Sequence, residues 1–238
     1  MNNHWLKNKG LKCVVLGAGR GNRILPHSEN IPKVMLELCN KPILAYVIDY
    51  WKRFTDDFIF IVGYKKEQVI KYVRKLSVNS SFVEQKELIG IADAINHVEK
   101  LVSENFIVIL GDCICNGSFD FSNEMEQGVG VWKTNNIDDI KRSYSIEIKE
   151  NNLTKVVEKP KEIPNNYCGM GFYFFKNKVF DYIKQTPPSK LRNEIEITDV
   201  IQNMIENGEK INPIFFKGSY INITYPSDLK KAEKIVLN

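Results

Sequence analysis

The stretch Val14–Lys33, VVLGAGRGNRILPHSENIPK, sets an apolar run against three glycines in five positions (Gly17, Gly19, Gly21), two arginines, and a lysine behind a proline. Val14, Val15 and Leu16, preceded by Leu11, read as a short buried strand, and the glycines force the chain to leave it sharply. In α/β proteins a strand running into a glycine loop is where ligands sit. Two common phosphate loops do not fit. The dinucleotide pattern G-x-G-x-x-G needs a third glycine where Asn22 stands. The P-loop pattern G-x-x-x-x-G-K-[ST] finds neither its spacing nor its hydroxyl residue in Arg20-Gly21-Asn22-Arg23. A mobile loop with two solvated arginines competes with these readings, so the continuation of the sequence has to decide.

The whole chain limits the answers. Its 238 residues are 43% apolar and 26% charged, enough to bury a substantial core as one large domain, or at most two small ones. No run approaches the 18 uncharged apolar residues of a membrane span, and MNNHWLKNKG lacks the apolar core and cleavage site of a secretory signal. A cytoplasmic protein without membrane partners is expected. Five cysteines (Cys13, Cys39, Cys113, Cys115, Cys168) are odd in number and irregular in spacing, which predicts reduced thiols. Cys113-x-Cys115 has no second half, and His4, His27 and His97 are far apart, so no structural metal is expected. The formal charge of +4 is mild and its lysines are scattered, which suits small anionic ligands and does not suit nucleic acid.

From Leu11 to Asp112 strand-like and helix-like runs alternate, the pattern of a parallel sheet covered on both faces. Strands are expected at Lys12–Leu16, Asp57–Tyr64, Ser81–Gln85 and Asn105–Gly111. Helices are expected behind Pro42 (Ile43, Leu44, Val47, Ile48, Trp51), around Val69–Val73, and around Ala92–Val98. In the second half VGVWKT, SYSIEIKE and KVVEKP read as extended segments, the last two joined at Asn151-Asn152. GMGFYFF is a further strand. Helices follow around Val179–Ile183 and Thr198–Ile205, the latter closed by Asn207-Gly208; two short strands and a helix from Pro226 end the chain.

The series G-x-G-x-G-x-R, Pro26, Pro32-Lys33 and Lys41-Pro42 resembles the signature of the sugar-1-phosphate nucleotidylyltransferases, which make nucleotide sugars from an NTP and a sugar phosphate. The resemblance continues through Gln85 and Gly90 in VEQKELIGIADAI, Gly111-Asp112 after an apolar strand, and VVEKP at Val156–Pro160. It ends with GFYFF after Gly171, NEIEITD at Asn193–Asp199, and YINITYPSDLKKAE. It implies a Rossmann-like α/β fold with a mixed, mostly parallel sheet and helices on both faces. It also implies a single nucleotidylyltransferase domain over 1–238, with 1–112 as nucleotide-binding half and 113–238 as acceptor-binding half. The last expected helix lies near the final residue, which predicts that the left-handed β-helix acyltransferase domain of some relatives is absent.

Attack of a phosphate oxygen on the α-phosphorus of an NTP brings two polyanions together, which demands cations and bare backbone. The resemblance assigns catalytic roles to Arg23, Lys33, Asp112 and Lys159, and nucleotide contacts to Leu16, Gly17, Ala18, Gly19, Gly21, Gln85 and Gly90. The acceptor falls to Ser145, Glu158, Gly169 and Glu194. Mg²⁺ is the implied cofactor, held by Asp112 and Asn222 with substrate phosphates. Lys33 on its own also reads as a solvated surface lysine, and Gly-Asp as a plain turn. The departures cluster around base and acceptor. Asn222 replaces a frequent aspartate, Tyr144-Ser145 a usual Tyr-Gly, Ile91 a usual threonine, and Gly169 a larger residue. The expected reaction joins a nucleotidyl group from UTP or dTTP to a sugar 1-phosphate. Two rivals stay open: a cytidylyltransferase acting on a non-sugar phosphate or phosphonate, and a non-catalytic regulatory protein of the same fold.

Overall fold

The computed structural model describes residues 10–122, 125–190 and 193–237. The opening segment through Lys9, with its signal-peptide reading and His4, lies outside them. Among the described residues the strands in chain order are β1 (Lys12–Leu16), β2 (Glu37–Leu38), β3 (Lys41–Pro42), β4 (Asp57–Val62), β5 (Asn79–Glu84), β6 (Asn105–Leu110), β7 (Cys113–Asp120), β8 (Gly128–Lys133), β9 (Tyr144–Lys149), β10 (Asn152–Glu158), β11 (Tyr167–Lys176) and β12 (Asn212–Asn222). The helices are α1 (Ile43–Trp51), α2 (Lys66–Val73), α3 (Ile91–Asn96), α4 (Ile137–Arg142), α5 (Val179–Gln185), α6 (Ile197–Glu206) and α7 (Pro226–Leu237). The fold is α/β, with a mixed, mostly parallel sheet and helices.

Contacts divide the chain into two compact units interleaved in sequence. The first takes the described residues of Met1–Leu88, Val108–Gly117 and Gly218–Asn238; the second takes those of Ile89–Ile107 and Ser118–Lys217. In the first unit β1 pairs in parallel with β4, Val14 opposite Ile59, and β4 pairs in parallel with β5, Phe60 opposite Phe82. Strands buried on both faces read as continuous apolar runs, which is how KCVVL and DFIFIV read. Val14, Val15, Ile59 and Phe60 are buried, and in α1 Ile43, Val47, Ile48 and Trp51 are buried as the helical spacing predicts. Each such side chain contributes about 1.5–3 kcal/mol by leaving water.

The second unit is mixed. β8 runs parallel to β12 and antiparallel to β11, β11 pairs antiparallel with β9, and β9 with β10. Phe172, Phe174 and Phe175 of β11 are buried, and α6 buries Val200, Ile201 and Met204.

Two expectations change. The end of the chain carries one continuous strand, β12, where two short ones are predicted. Lys217-Gly218-Ser219 looks like a break, yet Gly218 keeps the strand going at φ +141, with room for no side chain beside Asn116 and Gly117. The hairpin turn lies one residue early: Asn152 pairs with Lys149, so Glu150 and Asn151 form the two-residue loop, both left-handed at φ 51 and 59.

Candidate active site

In the first unit, Gly17 leaves β1 with its N–H still bonded to the Ile61 carbonyl (2.9 Å). After it the backbone N–H groups of Ala18, Gly19, Arg20 and Gly21 donate to no acceptor among the described residues. Consecutive N–H groups without acceptors at a strand end can serve an anion. Gly21 closes it in the left-handed region (φ 78, ψ 47), ahead of the 3₁₀ turn Asn22–Ile24 that carries the exposed Arg23. A Cβ on Gly21 would stand 2.9 Å from Lys33 Cβ, so this glycine sets how close Lys33 approaches the loop. The fully buried Ser28 ties the far arm back by donating to the Gly21 carbonyl at 2.7 Å.

Lys33 opens a second 3₁₀ turn behind Pro32, and its ammonium is paired with Oδ2 of Asp112. Only 13% of the lysine side chain and 19% of the aspartate side chain are exposed. Asp112 reaches it because Gly111 crosses the end of β1, donating to the Leu16 carbonyl at 2.9 Å, where a Cβ would clash with that oxygen. The Asp112 carbonyl accepts from the Ile223 N–H (3.0 Å), which brings Asn222 beside it. Asn222 Oδ1 is buried and has no hydrogen-bond partner among the described residues, which leaves an acceptor open to a donor or cation. Neighbouring Cys113 lies 3.1 Å from the Tyr220 hydroxyl, and burial pushes its thiol well above the usual range, which holds it neutral. Gln85, buried, is held by its N–H to the Val62 carbonyl (2.9 Å). Gly63 fits so closely against Ala18 and Gln85 that a Cβ would lie 2.9 Å from the Ala18 carbonyl and 3.1 Å from that of Gln85. The nucleotide residues expected in the first half of the chain, from Leu16 to Gln85, therefore share this unit with Lys33, Asp112 and Asn222.

In the second unit Gly90 (φ +117) lies against Glu194. A Cβ there would be 2.7 Å from the Ile195 carbonyl oxygen and 3.2 Å from Glu194 Cβ, so an expected base contact and an expected acceptor contact are neighbours. Glu158, at the end of β10, lies 3.5 Å from the Thr198 hydroxyl. Lys159 follows at φ 44 with its N–H on the Ser143 carbonyl (2.9 Å). A left-handed lysine costs roughly 1–2 kcal/mol, and such strain clusters at functional positions. Tyr144 lies directly opposite Glu158 across the hairpin, so the two share a face. Gly169 faces the same way: its added Cβ would stand 1.9 Å from Tyr144 Cε2, and the Tyr144 hydroxyl donates to the Met170 carbonyl at 2.9 Å. Ser145, one residue on, points to the opposite face of the strand. The structure thus groups Glu158, Gly169 and Tyr144, groups Gly90 with Glu194, and turns Ser145 away from the first group. Sequence reasoning missed Ser28 and Tyr144 as positioning residues; the hydroxyl seven residues past Gly21 was the one local signal for Ser28.

A strand-end run of backbone N–H groups beside a lysine–aspartate pair is an arrangement that suits an anionic ligand on an α/β fold. The nucleotidyl transferase family model matches residues 12–236, and the chain belongs to that family. Bifunctional protein GlmU of Methanococcus maripaludis is 30% identical over 233 residues, covering 96% of this chain and 55% of its own. The chain spans about half the length of the GlmU relatives it matches. UTP–glucose-1-phosphate uridylyltransferase AglF of Haloferax volcanii is 32% identical over 233 residues, covering 94% of this chain and 96% of AglF. A crystal structure from Bacillus anthracis, described as a candidate glucose-1-phosphate thymidylyltransferase in complex with sucrose, superposes with TM-score 0.80 at 25% identity, covering 94% of each chain.

Proposed function

We propose that the protein transfers a nucleotidyl group from UTP or dTTP to a sugar 1-phosphate, giving an NDP-sugar and pyrophosphate. An acceptor phosphate oxygen attacks the α-phosphorus, a new P–O bond forms, and the bond to the α,β-bridging oxygen breaks with its electron pair leaving on pyrophosphate. The observation that carries this reading is the Lys33–Asp112 pair beside four open backbone N–H groups. Lys33 and Arg23 offset charge on the phosphates, and the loop N–H groups fix their position. Gln85 can donate and accept at once, which suits the O/N–H edge of uracil or thymine, and the small Gly90 lets backbone approach the ring. In the second unit Lys159 faces the acceptor phosphate, while Glu158 and Glu194 accept from sugar hydroxyls, with Gly169 leaving that face clear for Tyr144. Ser145 contributes through its backbone.

The donor set fits Mg²⁺. Among the described residues no cluster of three His, Cys, Asp or Glu side chains could hold a metal. Asp112 and the unpartnered Asn222 Oδ1 would supply two oxygens and substrate phosphates the rest, the usual arrangement for this ion. When bound, Mg²⁺ supplies charge neutralisation at the phosphates. All five cysteines are free thiols, which fits a reducing cytoplasm, and no described helix is long and apolar enough to cross a membrane.

The test is pyrophosphate release from a matrix of NTPs against phosphorylated acceptors. Release with UTP or dTTP and a hexose 1-phosphate, abolished by EDTA, is expected. Turnover confined to choline phosphate or a phosphonate would move the protein to the cytidylyltransferase reading, and no release with any pair would make it a binding protein.

A further inference from the structure

The unassigned Arg20 rises from the middle of the cradle. Its guanidinium carbon lies 5.2 Å from the centre of the Tyr64 ring, and Lys65 Nζ lies 5.6 Å from the same centre. Two cations on one ring repel each other and are stable together only as far as water, the ring or an anion compensates. No carboxylate does so: neither residue has an ion pair among the described residues. Glu84, at the end of the neighbouring strand β5, is taken by Lys66. Among the described residues the Arg20 side chain makes no hydrogen bond either, and the Lys65 ammonium donates only to Asn30 Oδ1 (3.2 Å).

The platform under these cations is built. Tyr64 N–H donates to the Ala18 carbonyl (3.1 Å), its hydroxyl donates to the Glu29 carbonyl, and Gln68 Nε2 donates to the Asn30 carbonyl (3.1 Å). Both arms of the glycine loop are therefore clamped to the segment after β4. Lys65 itself sits at φ 47, strained for a non-glycine residue, on the turn into α2. The strands run in the order β4-β1, with the Asp112 segment against the far side of β1's end, so Arg20 and Lys65 occupy the flank of the loop opposite Lys33 and Asp112.

We infer that Arg20 and Lys65, held on the Tyr64 ring, bind the β- and γ-phosphates of the nucleotide and the pyrophosphate product. This rests on the nucleotidyl-transfer reading. With the α-phosphate taken by Lys33 on one flank, the uncompensated pair on the other meets the group that leaves. Arg20 supplies a planar fork of donors, stacked so that less freedom is lost on binding.

The probe is inorganic pyrophosphate, titrated calorimetrically into the full chain in the presence of Mg²⁺, with UTP binding measured alongside. Arg20→Gln and Lys65→Ala are each expected to weaken pyrophosphate binding by about tenfold, the scale of one charged hydrogen bond at a partly exposed site. Tyr64→Leu, which removes the platform, weakens it comparably, whereas Tyr64→Phe keeps the ring and the affinity to within about twofold. In turnover the same losses raise the pyrophosphate inhibition constant and leave KM for the acceptor unchanged. Wild-type affinity in Arg20→Gln overturns the inference while leaving nucleotidyl transfer intact. Tyr64→Phe as damaging as Tyr64→Leu overturns the stacking role, since the loop clamp would then be what matters. Failure of the unaltered protein to bind either pyrophosphate or UTP overturns the nucleotidyl-transfer reading, and this inference with it.

Discussion

At the scale of single residues, Lys33 and Gly169 are held by close contacts with opposite consequences. Lys33 is fixed by Gly21 beside its Cβ and by Asp112 at its ammonium, so its charge is in position before substrate arrives. A preorganised cation that meets charge developing at phosphorus acts on the chemical step. Lys33→Ala is therefore expected to lower kcat by about 10²–10³-fold with folding intact, and steady-state kinetics in pyrophosphate release check it. A rise in KM for the NTP alone would make Lys33 a ground-state anchor. Gly169 is different because its constraint is packing. Any side chain there enters the Tyr144 ring, so Gly169→Ala must displace a buried tyrosine and its bond to the Met170 carbonyl. Overpacking of this kind costs about 1–3 kcal/mol. In a Tyr144→Ala background the same substitution should cost far less, a coupling that denaturant unfolding of the double-mutant set would measure. Independent, additive losses would mean that the ring is not what excludes a side chain at position 169.

At the scale of elements, the β9–β10 hairpin turns on Glu150-Asn151, both left-handed. A two-residue loop of this twist favours Asn-Gly, and glutamate in the left-handed region is strained. Glu150→Asn with Asn151→Gly should stabilise the protein on the order of 1 kcal/mol, read as a raised denaturation midpoint with unchanged slope. The strand β1, helix α1 and the Gly111-Asp112 segment were legible because local pattern and burial agree there. β7 was not, and β12 read as two pieces, for one shared reason. Asn116-Gly117 and Gly218 carry turn chemistry, yet they serve a close approach of two extended backbones, where a Cβ on Gly218 would meet the Asn116 carbonyl at 2.2 Å. Glycine that admits a neighbouring chain looks the same in sequence as glycine that turns its own. In the site, Lys33 and Asp112 were each legible by motif, but their pairing spans 79 positions and is a property of strand order alone. The separation of Ser145 from Glu158 was in principle legible from strand alternation once the hairpin register is known, and that register depends on the turn.

At the scale of the whole molecule, connectivity decides which segments the phosphate site needs. The first unit is closed by the last stretch of chain, Gly218–Asn238, although its glycine loop lies near the start. That stretch supplies the Ile223 N–H on the Asp112 carbonyl, the Tyr220 hydroxyl against Cys113, and the Ile235 carbonyl that accepts from Asn116 Nδ2 at 3.1 Å. It also carries Asn222, and α7 with its buried Asp228 accepting from the Thr224 and Tyr225 N–H groups. Tolerance to truncation follows the burial and hydrogen bonding of the removed backbone. A chain ending at Lys217 keeps Leu16 through Asp112, yet it exposes Cys113 and Ile114 and frees the Asp112 backbone. We expect such a chain to lose the rise in Tm that UTP and Mg²⁺ give the intact protein, and to release no pyrophosphate. The full-length Asn222→Ala protein should instead keep its fold and need more Mg²⁺ for the same turnover, because one oxygen ligand is gone while the scaffold remains. Thermal unfolding with and without UTP separates the two cases. A truncated chain that still binds UTP as the whole protein does would show that nucleotide binding does not need the closing segment.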